Sequence, residues 1–225
     1  IACGTGRVTR HLIDLLADSA SITATDINPD MMAYAKENLA GAAAIQWQVA
    51  DAHKLPFDDN CFDIVVCQLG VMFFERRVAA YAEILRVLKP GGQFVCNTWD
   101  GFENNPPVAI TQQVLAAYFP SDIPGFYRVP FGYHDEHTIL RELSAGGFSD
   151  IKMETVRKKG YSPFVEDAAT GLLEGTPVHT QIVQRDAAML PVVKAELAKR
   201  LAQQFGNSHI APPLQVKVMA AAKSM

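Results

Sequence analysis

The stretch IACGTG, residues 1–6, decides the fold that we expect for this chain. Its apolar start and its two glycines, Gly4 and Gly6, are typical of a buried strand that runs into a glycine-rich loop. Apolar residues then recur at helical spacing, at Val8, Leu12, Leu15 and Leu16. Amides at the N-terminus of a helix can bind a ligand, and glycine lets the backbone approach it closely. The order of strand, loop and helix therefore favours an α/β protein with a ligand at this loop.

Strand and helix patterns alternate over the first 100 residues. Short apolar segments predict strands at residues 21–26, 44–50, 62–68 and 93–99. Helical patterns lie between them, and Lys-Pro-Gly-Gly predicts a turn before the last strand; the helices span 6–18, 28–41 and 75–88, and the turn 89–92. The second helix has Asn28 as its N-cap and Pro29 at its first position. Strands separated by helices imply a parallel sheet that is covered on both faces.

The alternation loosens after residue 100 and resumes later. Residues 101–133 are rich in proline and aromatic residues, and Asn-Asn-Pro-Pro-Val at 104–108 predicts a turn. A helix at 135–148, a strand at 149–159, mainly helical residues at 163–206 and a last strand at 214–223 are predicted next. We expect one domain over residues 1–225, with 101–133 and 163–206 as insertions on the substrate side.

Composition narrows the classes of function. The 225 residues are 49% hydrophobic, which suits a globular domain, and the net charge of −4 comes without the basic stripe of a nucleic-acid-binding protein. No apolar stretch approaches the 18 or so residues of a membrane span. The cysteines Cys3, Cys61, Cys67 and Cys96 lack C-x-x-C spacing, which favours free thiols in a reducing compartment, the cytoplasm. The oligomeric state is not indicated.

Two classes of cofactor suit a glycine loop of this kind. A dinucleotide site requires a third small residue, to let the helix pack closely on the strand. That position falls on Thr9 when it is counted from Gly4 and Gly6, and on Arg7 when it is counted from Ala2 and Gly4. Neither residue is glycine or alanine, so a nicotinamide-dependent oxidoreductase is the less favoured hypothesis.

S-adenosylmethionine (SAM) is the favoured hypothesis because polar groups follow successive strands. Asp26 ends the strand 21–26, where a carboxylate can accept from both ribose hydroxyls of either cofactor. Asp51 follows the strand 44–50, where it can accept from the adenine amine, and the Ala52 amide can donate to a ring nitrogen. The loop and these two strand ends would each supply one part of a SAM site.

Four segments in this order resemble class I SAM-dependent methyltransferases. They are IACGTGRVT (1–9), TDINPDMM (25–32), VADAHKLPFDDNCFDIVVCQLGVMFF (49–74) and ILRVLKPGGQF (84–94). Within that family the chain is most similar to the ubiquinone/menaquinone-biosynthesis-like group of small-molecule methyltransferases. The resemblance covers about residues 1–100, and the rest of the chain is similar in layout only.

The resemblance implies a fold. It is a Rossmann-like α/β fold with a seven-stranded, mostly parallel sheet in the order 3-2-1-4-5-7-6, the last strand being antiparallel. Residues 214–223 would then lie between 93–99 and 149–159, after a helical insertion. The family motif is acidic-x-Gly-x-Gly-x-Gly, of which Gly4 and Gly6 match the last two glycines and Ala2 replaces the first. Its acidic residue would precede residue 1, so we expect the first strand to be truncated.

The resemblance also implies a set of cofactor-binding residues. Asp26 would bind the ribose, Ile27 and Met31 would flank the adenine, and Asp51 and Ala52 would bind its polar edge. The methionine part would lie beside the glycine loop and the end of the strand 62–68, at Ala2, Cys3, Gly4, Thr5, Gly6, Gln68 and Leu69. His53, next to the adenine edge, is predicted to point to solvent.

The implied activity is transfer of a methyl group from SAM to a small apolar or aromatic acceptor. A SAM-binding protein without catalysis is the alternative, and an oxidoreductase the remoter one. The aromatic residues of 101–133 fit either ordinary packing or an acceptor pocket. No catalytic base is assigned, although Tyr133, His134, His137 and His179 are possible. No metal site is predicted, since His134 and His137 have no third ligand at a suitable spacing.

Overall fold

The computed structural model describes residues 1–17, 20–40 and 45–225. The chain divides into two units, which we describe separately. The first unit contains Ile1–Thr98, Asp135–Glu154 and Val218–Met225, and the second contains Trp99–His134 and Thr155–Lys217. All of the predicted cofactor-binding residues belong to the first unit.

The described chain forms strands and helices that largely alternate. The strands are β1 (Ile22–Asp26), β2 (Ile45–Val49), β3 (Phe62–Gln68), β4 (Leu88–Trp99), β5 (Ser149–Lys159), β6 (Ser162–Phe164), β7 (Ser208–Ile210) and β8 (Pro213–Ala222). The helices are α1 (Arg7–Leu15), α2 (Pro29–Asn38), α3 (Arg77–Val87), α4 (Pro106–Tyr118), α5 (Glu136–Ala145), α6 (Val165–Leu173), α7 (Val178–Asp186) and α8 (Met189–Phe205). The predicted boundary residues Asp18, Gly41 and Ala44 lie outside the described residues.

The described strands form three sheets. β1 pairs in parallel with β2, β3 pairs in parallel with β4, and β6 pairs antiparallel with β7. The largest sheet has the order β3-β4-β8-β5, and β8 runs antiparallel to β4, because the Gly91 amide donates to Lys223 near one end and the Asp100 amide to Gln215 near the other. The parallel pairs with intervening helices are the mixed α/β architecture that the sequence predicts, although the described strands do not join into one seven-stranded sheet.

Residues 1–3 connect the two parallel pairs. The Ile1 nitrogen donates to the Val66 carbonyl in β3 at 2.8 Å, and the Cys3 amide donates to the Thr25 carbonyl in β1 at 2.9 Å. These residues therefore lie between β1 and β3. The glycine loop, which follows them in the chain, starts at this position.

Local capping explains where the helices begin. The Asn28 side chain accepts from the amides of Asp30 and Met31, and Pro29 opens α2, as predicted. Asp135 caps α5 in the same way by accepting from the Thr138 amide. The turn predicted at 104–108 is wrong: two prolines occupy the first positions of α4, where no amide donor is needed.

The turn predicted at 89–92 is also wrong, because these residues belong to β4. Phe62 pairs with Leu88 and Ile64 pairs with Gln93, so β4 contains a bulge between these two pairs. Gly91 lies in the bulge with a φ of +74°, a conformation that glycine adopts without strain. The bulge remains in the sheet because Gly91 and Gly92 exchange hydrogen bonds with Lys223 of the last segment.

Each unit has its own core. In the first unit, Phe94 of β4 lies fully buried between the rings of Tyr81 and Phe148, at centroid distances of 5.9 and 5.5 Å. In the second unit the core joins α4, α6, α7 and α8, and its fully buried residues include Val114, Leu115, Leu173, Ile182 and Leu197. Within the described residues, none of the helices combines the length and the apolarity needed to cross a bilayer.

Candidate cofactor site

The glycine loop has three residues in the left-handed region. Ala2, Gly4 and Gly6 have φ values of +53°, +53° and +80°. A Cβ added to Gly6 would lie 3.0 Å from Leu39 Cδ1 and 3.1 Å from Ala35 Cβ, so Gly6 is where the loop packs against α2. A Cβ added to Gly4 would meet no atom of the described residues within 4 Å. The loop is therefore open at Gly4, where a ligand can approach the backbone.

Asp26 is a buried carboxylate held by two backbone amides. Its Oδ2 accepts from the Gly4 amide at 2.7 Å, and its Oδ1 accepts from the Asn28 amide at 2.9 Å. Because β1 ends at Asp26 and α2 starts at Pro29, the side chain joins the glycine loop to the beginning of α2. Each carboxylate oxygen can accept a second hydrogen bond, so Asp26 keeps acceptor capacity for a diol.

Two apolar side chains are exposed beside Asp26. Ile27, directly before the N-cap of α2, is 68% exposed, and Met31, in the first turn of α2, is 46% exposed. Exposed apolar residues are common, so exposure alone does not indicate a site. That this pair flanks the adenine stays a prediction of the family resemblance.

Asp51 follows β2 and interacts with His53. The Asp51 Oδ1 accepts from the His53 amide at 2.9 Å and shares a hydrogen bond of 2.7 Å with the His53 Nδ1. These bonds from the backbone and then from the ring hold the pKa of Asp51 below its ordinary value. The Asp51 side chain is 49% exposed, and both bonds go to Oδ1. Its Oδ2 is thus the oxygen that can accept from a ligand, beside the buried Ala52.

The prediction that His53 points to solvent is wrong. Its side chain is only 15% exposed, its Nε2 accepts from the Arg76 amide at 3.3 Å, and its ring meets Phe74 edge-on at 6.0 Å. Since Nε2 is an acceptor here, the proton of the neutral ring is on Nδ1, which donates to Asp51. Arg76 follows β3 in the chain and directly precedes α3, so the sequence around His53 gives no signal for this contact.

The end of β3 contacts the glycine loop. Leu69 has a φ of +52°, and its amide donates to the Asn97 Oδ1 at the end of β4 at 2.7 Å. A Cβ added to Gly70 would lie 2.6 Å from the Ala2 Cβ and 2.7 Å from the Cys67 Sγ. Gly70 and Asn97 are residues of this candidate site that sequence analysis did not identify, although a glycine two residues after a strand could have indicated close backbone contact.

The cysteines at this site are poor nucleophiles. Burial raises the pKa of Cys67 to about 11, and it also raises the pKa values of Cys96 and Cys3 above that of a free thiol. Cys67 and Cys96 are paired in the β3–β4 register, and all four cysteines are free. Cys67 and Cys96 line an open cavity of about 180 Å³, together with Val8, Val66, Gln68, Val95, Asn97 and Val218.

His134 and His137 are the two histidines considered as metal ligands. The His134 Nδ1 shares a hydrogen bond of 2.8 Å with the Phe131 carbonyl, and His137 is exposed at the beginning of α5. Across residues 1–17, 20–40 and 45–225, no three His, Cys, Asp or Glu side chains come together in a way that could hold a metal ion. Asp63 pairs with Lys89 at the surface.

Comparison with known proteins identifies the family. Residues 1–96 match the model of a methyltransferase domain. The demethylmenaquinone methyltransferase of Staphylococcus aureus is 30% identical over 169 residues, which cover 69% of this chain and 68% of that enzyme. The chain belongs to the class I SAM-dependent methyltransferases.

Solved structures share the fold of this methyltransferase. A protein of Bacillus halodurans that is assigned to the methyltransferases superposes with a TM-score of 0.64 at 19% identity, over 100% of this chain and 90% of that one. Phosphoethanolamine N-methyltransferase 2 of Haemonchus contortus, solved with phosphomonomethylethanolamine and S-adenosylhomocysteine, superposes with a TM-score of 0.60 at 18% identity, over 100% of this chain and 48% of that one.

The family membership confirms the main functional prediction. The protein is an enzyme whose cofactor is SAM, and it transfers a methyl group to a small molecule. The hypotheses of a SAM-binding protein without catalysis and of a nicotinamide-dependent oxidoreductase are not favoured. Thr9 and Arg7, which stand where a dinucleotide-binding motif has a third small residue, also argue against the oxidoreductase.

Proposed function

We propose that this methyltransferase holds SAM along the glycine loop and the ends of β1, β2 and β3. The observation that carries the proposal is the Asp26 carboxylate, which two backbone amides hold beside the open side of Gly4. Asp26 would accept from the ribose hydroxyls through its remaining lone pairs. Ile27 and Met31 would cover the adenine, which accounts for their exposure.

The residues after β2 would bind the polar edge of the adenine. The Asp51 Oδ2 would accept from the exocyclic amine, and the Ala52 amide would donate to a ring nitrogen. The methionine part would lie along the loop and the end of β3, against Ala2, Cys3, Gly4, Thr5, Gly6, Gln68 and Leu69. The contact of Gly70 with Ala2 supports this arrangement, because it brings these two segments together.

Methyl transfer from SAM requires little of the protein beyond orienting the cofactor and the acceptor. Bound SAM supplies a methyl group on a sulfonium, which is already a good leaving group. The residues of the site therefore act by holding the reactants in line and by excluding water. A protein base is needed only for an acceptor that must lose a proton, and none of Tyr133, His134, His137 and His179 is assigned that role.

Acceptor choice is proposed to depend on residues 101–133 and 163–206, within a single enzyme domain. The second unit is rich in aromatic rings: Phe131 stacks between Trp99 and Phe102, with centroid distances of 5.4 Å to each. Phe131 and Tyr127 are buried and serve packing, and the Tyr127 hydroxyl donates to the Leu172 carbonyl. Trp99 and Phe102 are only partly buried and offer an apolar surface that suits an aromatic acceptor.

We expect this enzyme to methylate an apolar aromatic acceptor in preference to a small charged amine. Formation of S-adenosylhomocysteine would be measured with a demethylmenaquinone analogue and with phosphoethanolamine, the acceptors suggested by the names of the relatives. Turnover should be detected with the first and not the second. Preference for phosphoethanolamine would contradict the proposed acceptor class while leaving the cofactor site intact.

Two finer points of the fold and setting are proposed as well. The strand order 3-2-1-4-5-7-6 is supported by residues 1–3, which bond to β1 on one side and to β3 on the other, and by the order β3-β4-β8-β5. A cytoplasmic setting is supported by the free state of Cys3, Cys61, Cys67 and Cys96.

The adenine-binding role of Asp51 is tested with S-inosylhomocysteine, in which a carbonyl replaces the adenine amine. Two acceptors would then face each other, so wild type should bind S-adenosylhomocysteine at least about 5-fold more tightly, about 1 kcal/mol. In Asp51→Asn, the His53 donors keep the amide oxygen at the Oδ1 position, so the amide nitrogen replaces Oδ2. That variant should lose or reverse the preference.

Calorimetric titration of both ligands into both proteins measures this preference. Asp26→Asn is the matched control, because the two ligands carry the same ribose and should be weakened equally. An Asp51→Asn variant with the wild-type ratio of the two affinities would show that Asp51 does not contact the base.

A further inference from the structure

His53 is held on both sides of its ring. Its Nδ1 is 2.7 Å from the Asp51 Oδ1, and its Nε2 accepts from the Arg76 amide, which directly precedes α3. Phe74 contacts the ring edge-on, and the side chain is largely buried. The ring therefore has one tautomer and one orientation, although it lies in a short loop after β2.

The position of Asp51 depends on the groups that donate to it. A half-exposed aspartate has several rotamers of similar energy, and only some of them direct an oxygen toward a ligand. The His53 amide fixes Oδ1 as the acceptor of a local turn, and the ring donates to the same atom from a second direction. Two donors from different directions leave Oδ2 as the free oxygen.

We infer that His53 is a positioning residue for base recognition, which fixes the Asp51 carboxylate so that Oδ2 faces the adenine amine. This inference rests on the proposed role of Asp51. In this role His53 does not touch the cofactor. Its ring is held by the Arg76 amide and in turn holds the Asp51 carboxylate. The specificity for an adenosyl ligand would thus depend on a contact between the loop after β2 and the segment before α3.

Two substitutions separate the two nitrogens of the ring. The side-chain nitrogen of asparagine is bonded to Cγ, as Nδ1 is, so His53→Asn keeps a donor for Asp51 and loses the acceptor for Arg76. The amide oxygen of glutamine is one atom further out, as Nε2 is, so His53→Gln keeps the acceptor for Arg76 and loses the donor for Asp51. Each variant removes one of the two hydrogen bonds of the ring.

The measured quantity is the ratio of affinities for S-adenosylhomocysteine and S-inosylhomocysteine. His53→Gln should lower this ratio by roughly 5-fold, the effect of one net hydrogen bond, and His53→Asn should retain most of it. Melting temperatures of both unliganded variants show whether each is folded. A purely structural role would change the ratio alike in the two variants or in neither, and either result would overturn the inference.

The wild-type protein provides a second test that needs no variant. A long-range ¹H–¹⁵N NMR correlation spectrum of the histidine rings should show that His53 is protonated at Nδ1 and unprotonated at Nε2. The opposite tautomer would overturn the inference directly. If Asp51→Asn changes the affinity ratio and His53→Gln does not, only the role of His53 fails; if Asp51→Asn has no effect, the role of Asp51 fails first and that of His53 with it.

Discussion

Asp26→Asn is expected to weaken binding of S-adenosylhomocysteine by about 100-fold, about 3 kcal/mol. The two oxygens of Asp26 accept from the amides of Gly4 and Asn28, and an amide side chain has only one oxygen. Its NH2 group must therefore face one of these backbone donors, so one hydrogen bond is lost and the other loses its charge. The glycine loop would shift at Gly4, and the ribose would lose its anionic acceptor.

Calorimetry of the variant and of wild type measures this loss, with thermal unfolding of the unliganded proteins to separate binding from folding. Asp63→Asn is the matched control, because the Asp63 carboxylate is exposed and pairs with Lys89 at the surface. The affinity of this variant for S-adenosylhomocysteine should equal that of wild type. A fall of less than about 3-fold in Asp26→Asn would contradict the assignment of the ribose to Asp26.

Those parts of the fold that depend on local sequence could be predicted. Asn28 and Pro29 mark the beginning of α2 because a cap and a first-turn proline act within one turn of helix. The strands β3 and β5 have the predicted bounds because their apolar patterns end at turn residues. Asp26 ends β1 beside the glycine loop, as its place in the sequence indicates, and its contact with the ribose stays a prediction.

The predictions failed where distant segments decide the local structure. Residues 89–92 have the composition of a turn, yet Gly91 and Gly92 pair with Lys223 at the other end of the chain and so extend β4. Asn105 looked like part of a proline turn. Its buried side chain instead donates to the Gln215 carbonyl and accepts from the Gln215 amide, which positions the beginning of α4 beside β8.

The same distinction applies within the cofactor site. The residues that would touch SAM lie at strand ends, which the alternation of strands and helices reveals. The residues that hold them are identified by their contacts instead: Gly70 by the nearby Ala2 Cβ, and His53 by the Arg76 amide. A glycine after a strand indicates a close contact without naming its partner, so the partners of Gly70 and His53 become apparent only when the segments are packed together.

Arg86→Met is expected to lower the free energy of unfolding by about 2–3 kcal/mol at neutral pH. The Arg86 guanidinium in α3 donates to both oxygens of Glu83, to the Asp59 carboxylate and to the carbonyls of Leu55 and Phe57. Glu83 in turn accepts from the Leu55 amide. These bonds fasten the loop that continues from Asp51 onto α3, and methionine keeps only the apolar part of the side chain.

The stability difference between Arg86→Met and wild type should depend on pH. Arg86 first, and the Leu55 amide after it, hold the pKa of the largely buried Glu83 below its ordinary value of about 4.3. A lowered folded-state pKa gives stability that is fully present above the unfolded pKa and is lost as the pH falls through the folded one. The difference should thus be constant from about pH 7 to pH 5 and should narrow below about pH 4.

Urea unfolding at neutral pH and below pH 4 measures this difference, with Lys89→Met as the control. Lys89→Met also removes an ion pair, the one with Asp63, but that pair is exposed. This substitution should therefore lower the free energy of unfolding by less than about 1 kcal/mol. The Arg86→Met variant should also bind S-adenosylhomocysteine more weakly, because the loop that carries Asp51 is no longer fastened at its far end. A difference below about 1 kcal/mol at neutral pH, or one that does not change on acidification, would show that Arg86 does not hold this loop through Glu83.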